Sequence, residues 1–254
     1  RHEHRCDVRT IASLIKRDNL RQPMIDAGLL PSLLVVLARP LQRGRTHNVD
    51  AAQLLVLLAN YENVHQPLLD AGLLTSLLAM LESDLAREAA NLLERVTEYE
   101  GFRQLLLEAG LLSSILTMLG SDHVVGGAKA IQALGRNHDM RQPLLASGIL
   151  TPLVALVQSA HQSAVILALV SLASSELFRQ PMIDAGVLPA VRALLENGGD
   201  NMHLKMRLLA HLAKDVASHQ LFIDGGMLPH VVTVISTAEP DPPPVPANEL
   251  DGPD

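Results

Sequence analysis

RQPMIDAGLLPSLL (21–34), HQPLLDAGLLTSLL (65–78), RQLLLEAGLLSSIL (103–116), RQPLLASGILTPLV (141–154), RQPMIDAGVLPAVR (179–192) and HQLFIDGGMLPHVV (219–232) are six versions of one phrase. Each carries a glycine at the same place: Gly28, Gly72, Gly110, Gly148, Gly186 and Gly226, spaced 44, 38, 38, 38 and 40 residues apart. A period near forty residues in apolar, helix-forming sequence is the signature of stacked two- or three-helix repeats. The glycine marks the hinge, where a left-handed backbone conformation turns the chain without a Cβ clash. After the first hinge come Leu29, Leu30, Leu33, Leu34 and Leu37, a broad helical stripe. A third helix follows near 49–60, with Ala51, Ala52, Leu54, Leu55, Leu58 and Ala59 facing inward.

Composition agrees with this reading. The chain has 254 residues, 48% of them hydrophobic, yet three Phe, two Tyr and no Trp, so its core must be built from aliphatic side chains and alanine. That suits closely packed helices. A single repeat buries too little to offset its ordering entropy, which makes the stack the folding unit. The lone Cys6 excludes an internal disulfide framework and fits a reducing, cytoplasmic setting. No apolar run reaches the roughly twenty residues of a membrane span, and the start, RHEHRCDVRT, has no signal-peptide pattern. A formal net charge of −7 argues against nucleic-acid binding.

Two rows of polar residues recur with the hinge. Arg21, His65, Arg103, Arg141, Arg179 and His219, each followed by Gln, suggest a rung between repeats that pairs with a neighbouring acid. Asp26, Asp70, Glu108, Asp184 and Asp224 stand two residues before the hinge, broken only by Ala146, and should face the positive end of the second helix. Pro23, Pro67, Pro143 and Pro181 predict first helices that are short or begin bent. Residues 5–17 read as a third helix without its first two, and the last unit, near 217–236, has no third. The expected organisation is a repeat solenoid over 1–237 and a Pro- and acid-rich disordered tail over 238–254 (AEPDPPPVPANELDGPD). The first unit carries six residues more than the 38-residue period, in the basic loop 39–48 (RPLQRGRTHN).

The pattern AGLLPSLLVVL followed by AAQLLVLLA resembles the armadillo repeat over almost the whole chain. The resemblance implies an all-α, right-handed superhelical solenoid of about five full repeats plus partial end repeats, with third helices lining a groove for peptides or folded proteins. Nuclear-import adaptors of that family grip basic peptides through Trp and Asn ladders. Here the Trp places hold Arg9, Gln53, Asn91, Lys129, Leu167 and Arg207, and the Asn places hold Ser13, Leu57, Arg95, Ala133, Ser171 and His211. Neither ladder is present. The segment SELFRQPMIDAGVLPAVRALL (175–195) is similar to divergent repeats of the Smg-type GDP-dissociation stimulator, which implies a small GTPase with a polybasic tail among the candidate partners.

Adding the place three residues beyond each ladder gives Lys16, Asn60, Glu98, Arg136, Ser174 and Lys214. The predicted groove then holds seven Lys or Arg against one Glu, although the chain as a whole is acidic. Lys129, Arg136, Arg207, His211, Lys214 and Arg95 are the candidate partner-binding residues. No catalytic constellation is found: GSDHVVGGAKA (120–130) lacks the Lys-Ser/Thr ending of a phosphate loop and no strand precedes it. His2, His4 and Cys6 lack a second ligand pair at fixed spacing. The sequence therefore predicts a monomeric, non-enzymatic protein-binding scaffold, with no cofactor or metal, that serves an acidic partner, a small GTPase or a chaperone client. The competing reading is a structural piece of a larger repeat protein with no ligand of its own.

The tail offers no apolar face to bury, so truncation after Ala238 should leave the midpoint of thermal unfolding unchanged. A loss of several degrees would show that the tail docks on the solenoid.

Overall fold

The computed structural model describes residues 4–37, 47–196 and 201–237. All regular structure among them is helical. The solenoid opens with a lone third helix, α1 (His4–Ile15). Five complete units follow. They are α2 (Asp18–Asp26), α3 (Leu29–Leu37) and α4 (His47–Ala59); α5 (Glu62–Asp70), α6 (Leu73–Leu81) and α7 (Ala86–Val96); α8 (Glu100–Glu108), α9 (Leu111–Leu119) and α10 (Val124–Arg136); α11 (Arg141–Ala146), α12 (Leu150–Ala155) and α13 (Gln162–Ala173); and α14 (Glu176–Asp184), α15 (Val187–Glu196) and α16 (Met202–Leu212). A final pair, α17 (Val216–Asp224) and α18 (Met227–Thr237), closes the described chain. The armadillo-like solenoid of five full repeats is therefore the observed architecture. The basic loop and the Pro-rich tail lie outside the described residues, apart from the first residues of α4.

Each hinge glycine has positive φ, from 66° at Gly226 to 93° at Gly72. First and second helices meet there at 70°, 71° and 59° in the first three complete units. At Gly110 (φ 87°) an added Cβ would find nothing within 4 Å. The requirement for glycine is thus conformational, set by the backbone and not by crowding. The prolines do not break the first helices: Pro23, Pro67 and Pro181 lie inside nine-residue helices, and their carbonyls accept the closing N–H of Ala27, Ala71 and Ala185.

Third helices stack in sequence, α1 on α4, then α7, α10, α13 and α16, while second helices form a parallel row outside them. The interior between the layers is one continuous aliphatic core running from Ile15 to Met227, with Phe102 and Phe178 as its fully buried aromatics. Packing is tightest around α10. A Cβ on Gly126 would lie 1.9 Å from the Leu81 carbonyl oxygen, and one on Gly135 would lie 2.8 Å from Leu172 Cδ2. Gly126 and Gly127 of the GSDHVVGGAKA stretch are therefore helix-contact residues. Lys205 is buried on α16, with Nζ donating to the Leu194 carbonyl at the end of α15 (2.9 Å).

The Arg/His row differs from its sequence reading. The Arg/His row bonds backbone carbonyl oxygen in every unit, always six residues upstream, at or beside the end of the preceding third helix. Arg21 Nε donates to Ile15 (2.9 Å), Arg103 Nη1 to Thr97 (3.0 Å), Arg141 Nε to Gly135 (3.2 Å) and Arg179 Nε to Ala173 (3.2 Å). His65 and His219 make the same contact through Nε2 to Ala59 (2.8 Å) and Ala213 (2.9 Å). Arg21, His65 and Arg103 also reach the next unit, and among the described residues an acid pairs with this row at Arg103–Asp139 across the junction (3.0 Å) and at Arg21–Asp18 within one helix (2.6 Å). Arg21 stacks on Tyr61 and His65 packs between Tyr99 and Phe102. The acidic row accepts hydrogen bonds from the Gln one turn earlier: Gln22–Asp26, Gln66–Asp70, Gln104–Glu108, Gln180–Asp184 and Gln220–Asp224. The repeated Gln thus has a purpose that its position beside the Arg/His row concealed.

Substitution should separate the two kinds of glycine in urea or thermal unfolding. Gly110→Ala should cost about 1 kcal/mol, from φ alone, and Gly110→Asn should cost less. Gly126→Ala should cost more than Gly110→Ala, about 2–3 kcal/mol, because α6 and α10 must separate. Equal losses for the two alanine variants would contradict the close approach of α10 to Leu81.

Candidate functional site: the third-helix face

Residues of the third helices that do not point into the core form one continuous face, because α1, α4, α7, α10, α13 and α16 pack side by side. Arg9, Ser13, Lys16, Gln53, Asn60, Asn91, Arg95, Glu98, Arg136, Ser174, Arg207 and Lys214 are all exposed on it. Leu57, Lys129, Leu167, Ser171 and His211 are half-buried, and Ala133 is buried at 3% exposure. The spacing used in the sequence reading therefore found a solvent-facing strip, with one small residue at its centre.

The charge on this strip is uneven along the solenoid. Between α4 and α7 lies an open pocket of about 490 Å³ whose lining includes Gln53, Glu88, Asn91, Glu94, Arg95 and Glu98. Arg95 is held by Glu98 on the next turn of chain (3.4 Å), and Arg136 of α10 reaches back to Glu94 of α7 (2.9 Å). A second recess of about 280 Å³ joins Glu94, Glu98, Arg103, Arg136, Asn137 and Asp139. Two of the six predicted contacts are thus already paired with acids. Glu88 and Glu94 were missed because the inferred positions sampled only part of the α7 surface; Glu94 stands immediately before Arg95 in the sequence.

The far end is different. α13 carries no ionisable side chain at all. Facing it from α16 are Arg207 and His211, four residues apart on one helical face, with Lys214 in the turn that follows. Arg179 joins them from α14, the first helix of the same unit, its guanidinium held at the end of α13 by the carbonyls of Ala173 (3.2 Å) and Ser174 (3.5 Å). Ser171 Oγ donates to the Gln132 carbonyl (3.0 Å), which ties α13 to α10 beneath this patch. Arg207, Lys214 and Lys129 form no ion pair with any described residue.

Burial first, then the positive charges of Lys214, Arg207 and Arg179, hold His211 below the ordinary histidine value. Its Nδ1 is sealed from solvent and has no hydrogen-bond partner. Arg179 was not among the predicted site residues, since its sequence position marks it as part of the structural row. No group of three His, Cys, Asp or Glu among the described residues is arranged to hold a metal ion. No single described helix is long and apolar enough to cross a membrane.

No family model matches the sequence, and no curated protein matches it. Among solved structures, two engineered proteins superpose with a TM-score of 0.59. One is 19% identical over 84% of this chain and 91% of its own. The other is 20% identical over 91% of this chain and 60% of its own. A designed armadillo repeat protein is 23% identical over 81% of this chain and 90% of its own, with a TM-score of 0.48. The engineered pair shows a likeness of fold.

The depressed proton affinity of His211 has a consequence for stability. The unfolded chain binds this proton more readily than the folded one, so stability contributed here is present above the ordinary value of 6.5 and falls as pH drops through the folded-state value. His211→Gln should flatten that part of the acid limb in urea unfolding at stepped pH. An unchanged pH profile would show that the ring is not restrained as described.

Proposed function

We propose that this chain is a non-enzymatic scaffold that binds a protein partner along the third-helix face, with an acidic segment of the partner over α10 to α16. The observation that carries the reading is the charge distribution: an acidic chain presents the exposed Arg207 and Lys214 and the half-buried Lys129 without ion-pair partners among the described residues, beside an α13 that has no acid to offer. Arg95 and Arg136 belong to the same surface but must exchange Glu98 and Glu94 for a ligand, which makes them weaker contributors. The mixed charge near α7 suits a partner whose own charge changes sign along its length.

A small GTPase with a polybasic tail would call on acids instead, and the exposed row of Asp26, Asp70, Glu108, Asp184 and Asp224 is the alternative surface. Those carboxylates are already engaged by glutamines. The third-helix face is therefore the better supported site. Charges of this kind act chiefly on encounter and selectivity, and their influence is screened within about 8–10 Å at physiological salt.

Binding of blocked acidic and basic peptides, followed by fluorescence anisotropy, tests the assignment. The acidic peptide should bind more tightly, weaken as salt rises, and lose about tenfold or more when Lys129, Arg207 and Lys214 are all changed to Glu. Reversal of Asp26, Asp70 and Asp184 to Lys should have little effect on it. Preference for the basic peptide, abolished by the Asp-to-Lys variant, would transfer the site to the hinge edge.

A further inference from the structure

The C-terminal end of the third-helix face contains a histidine in an unusual position. His211 lies among Arg179, Arg207 and Lys214, with a buried Nδ1 that nothing satisfies. An unpartnered buried polar atom is costly and asks for an explanation. Nδ1 is the sealed nitrogen, which leaves Nε2 as the one through which the ring can meet a ligand.

We propose that Arg179, Arg207, His211 and Lys214 form a carboxylate-accepting site for an acidic protein segment, and that seating the carboxylate there protonates His211. The inference rests on the third-helix reading above and adds a proton to it.

α13, packed against α16, has no ionisable side chain. Arg179 on α14 and Arg207 and Lys214 on either side of the ring are the charges that act on it, and all are positive. On the α17 side, His219 is turned to the Ala213 carbonyl, and Asp215 has a contact of its own. The free site thus repels a proton. A carboxylate that neutralises the three cations reverses the sign of the field at the imidazole and can accept from Nε2–H, so the charged ring becomes favoured. Binding takes up a proton from solvent, and no covalent bond changes.

Arg179 could not serve this purpose without its structural bond. The contacts to Ala173 and Ser174 hold the guanidinium in place before any ligand arrives, which lowers the ordering cost of binding. Arg136, the α10 counterpart of Ser174 and Lys214 in the repeat, shows the contrast. It faces Glu94 across the junction, so that junction is internally neutralised, whereas the one between α13 and α16 is left positive.

Linkage fixes the sign. The free ring has its proton affinity lowered and the bound ring has it raised, so the affinity for the acidic segment rises as pH falls between the two values. Each unit of separation between them is worth about tenfold in affinity at the low-pH end of the window.

The test uses the intact chain and a blocked peptide of alternating aspartate and glycine, at low salt and between pH 7.5 and 6.0. Proton–carbon NMR follows the histidine Cε1–H signals, and the signal lost in His211→Gln identifies the ring. The expected result is a titration of His211 that moves upward when peptide saturates the protein. Peptide affinity should also increase toward pH 6.0 in the parent chain and not in His211→Gln. If the peptide binds while the His211 titration stays where it was, the proton-linked site is wrong and the third-helix reading stands. If the peptide does not bind at any pH, both fall. If inorganic phosphate at the same concentration moves the titration as far as the peptide does, the site accepts free anions and the assignment to a protein segment is overturned.

Discussion

Every third helix in this solenoid ends under the same hydrogen bond, from an Arg or His side chain to a carbonyl six residues earlier. The last carbonyls of a helix have no partner inside it, and leaving them buried and unpaired would cost free energy at each junction. The Arg/His row supplies that partner in all six units, at 2.8–3.2 Å. Because the side chain belongs to the following first helix, the bond also fixes the turn between one unit and the next. Its outer face then meets the next unit again, through Tyr61, through Tyr99 and Phe102, or through Asp139. One repeated position thus ends a helix and sets a corner in every unit, and at Arg21, His65 and Arg103 it also joins neighbours.

The aliphatic core depends on that regularity. With few aromatics, the interior gains its density by bringing helix backbones close together. Alanines and glycines on the third helices allow the approach, most closely where Gly126 lies against Leu81 and Gly135 lies against Leu172. A larger side chain at Gly126 would push two units apart, because it would meet backbone, whereas at Gly135 the Leu172 side chain would have to shift. The hinge glycines have a different basis, since at Gly110 there is room for a side chain and only the positive φ forbids one.

Electrostatics divide the exposed third-helix face without altering the fold. The same place in the repeat is occupied by Glu98 after α7, Arg136 at the end of α10, Ser174 after α13 and Lys214 after α16. Where acid and base face one another across a junction they pair at the surface, and such exposed pairs are worth at most about 1 kcal/mol. Where the acid is missing, the cations remain available and depress the proton affinity of the histidine among them. The repeat keeps its geometry in both cases because the variation is confined to positions outside the core.

The amino-acid sequence by itself determined the period, the hinges, the order of short, second and third helices, and most of the core, because each depends on spacing within a single unit. Leu30, Leu33, Leu34 and Leu37 must share a face whatever the neighbouring unit does. The exposed strip of third-helix residues was legible for the same reason. Only the tertiary structure decided which residues of different units meet. Glu94 pairs with Arg136 forty-two residues later, and Asn137 donates to the Thr97 carbonyl forty residues earlier. Those meetings depend on the rotation and offset between successive units, which arise from side-chain packing across the junction and from no local pattern. The Arg/His row shows the division plainly: its repetition was visible in the sequence, but its backbone partner depended on how the preceding helix ended.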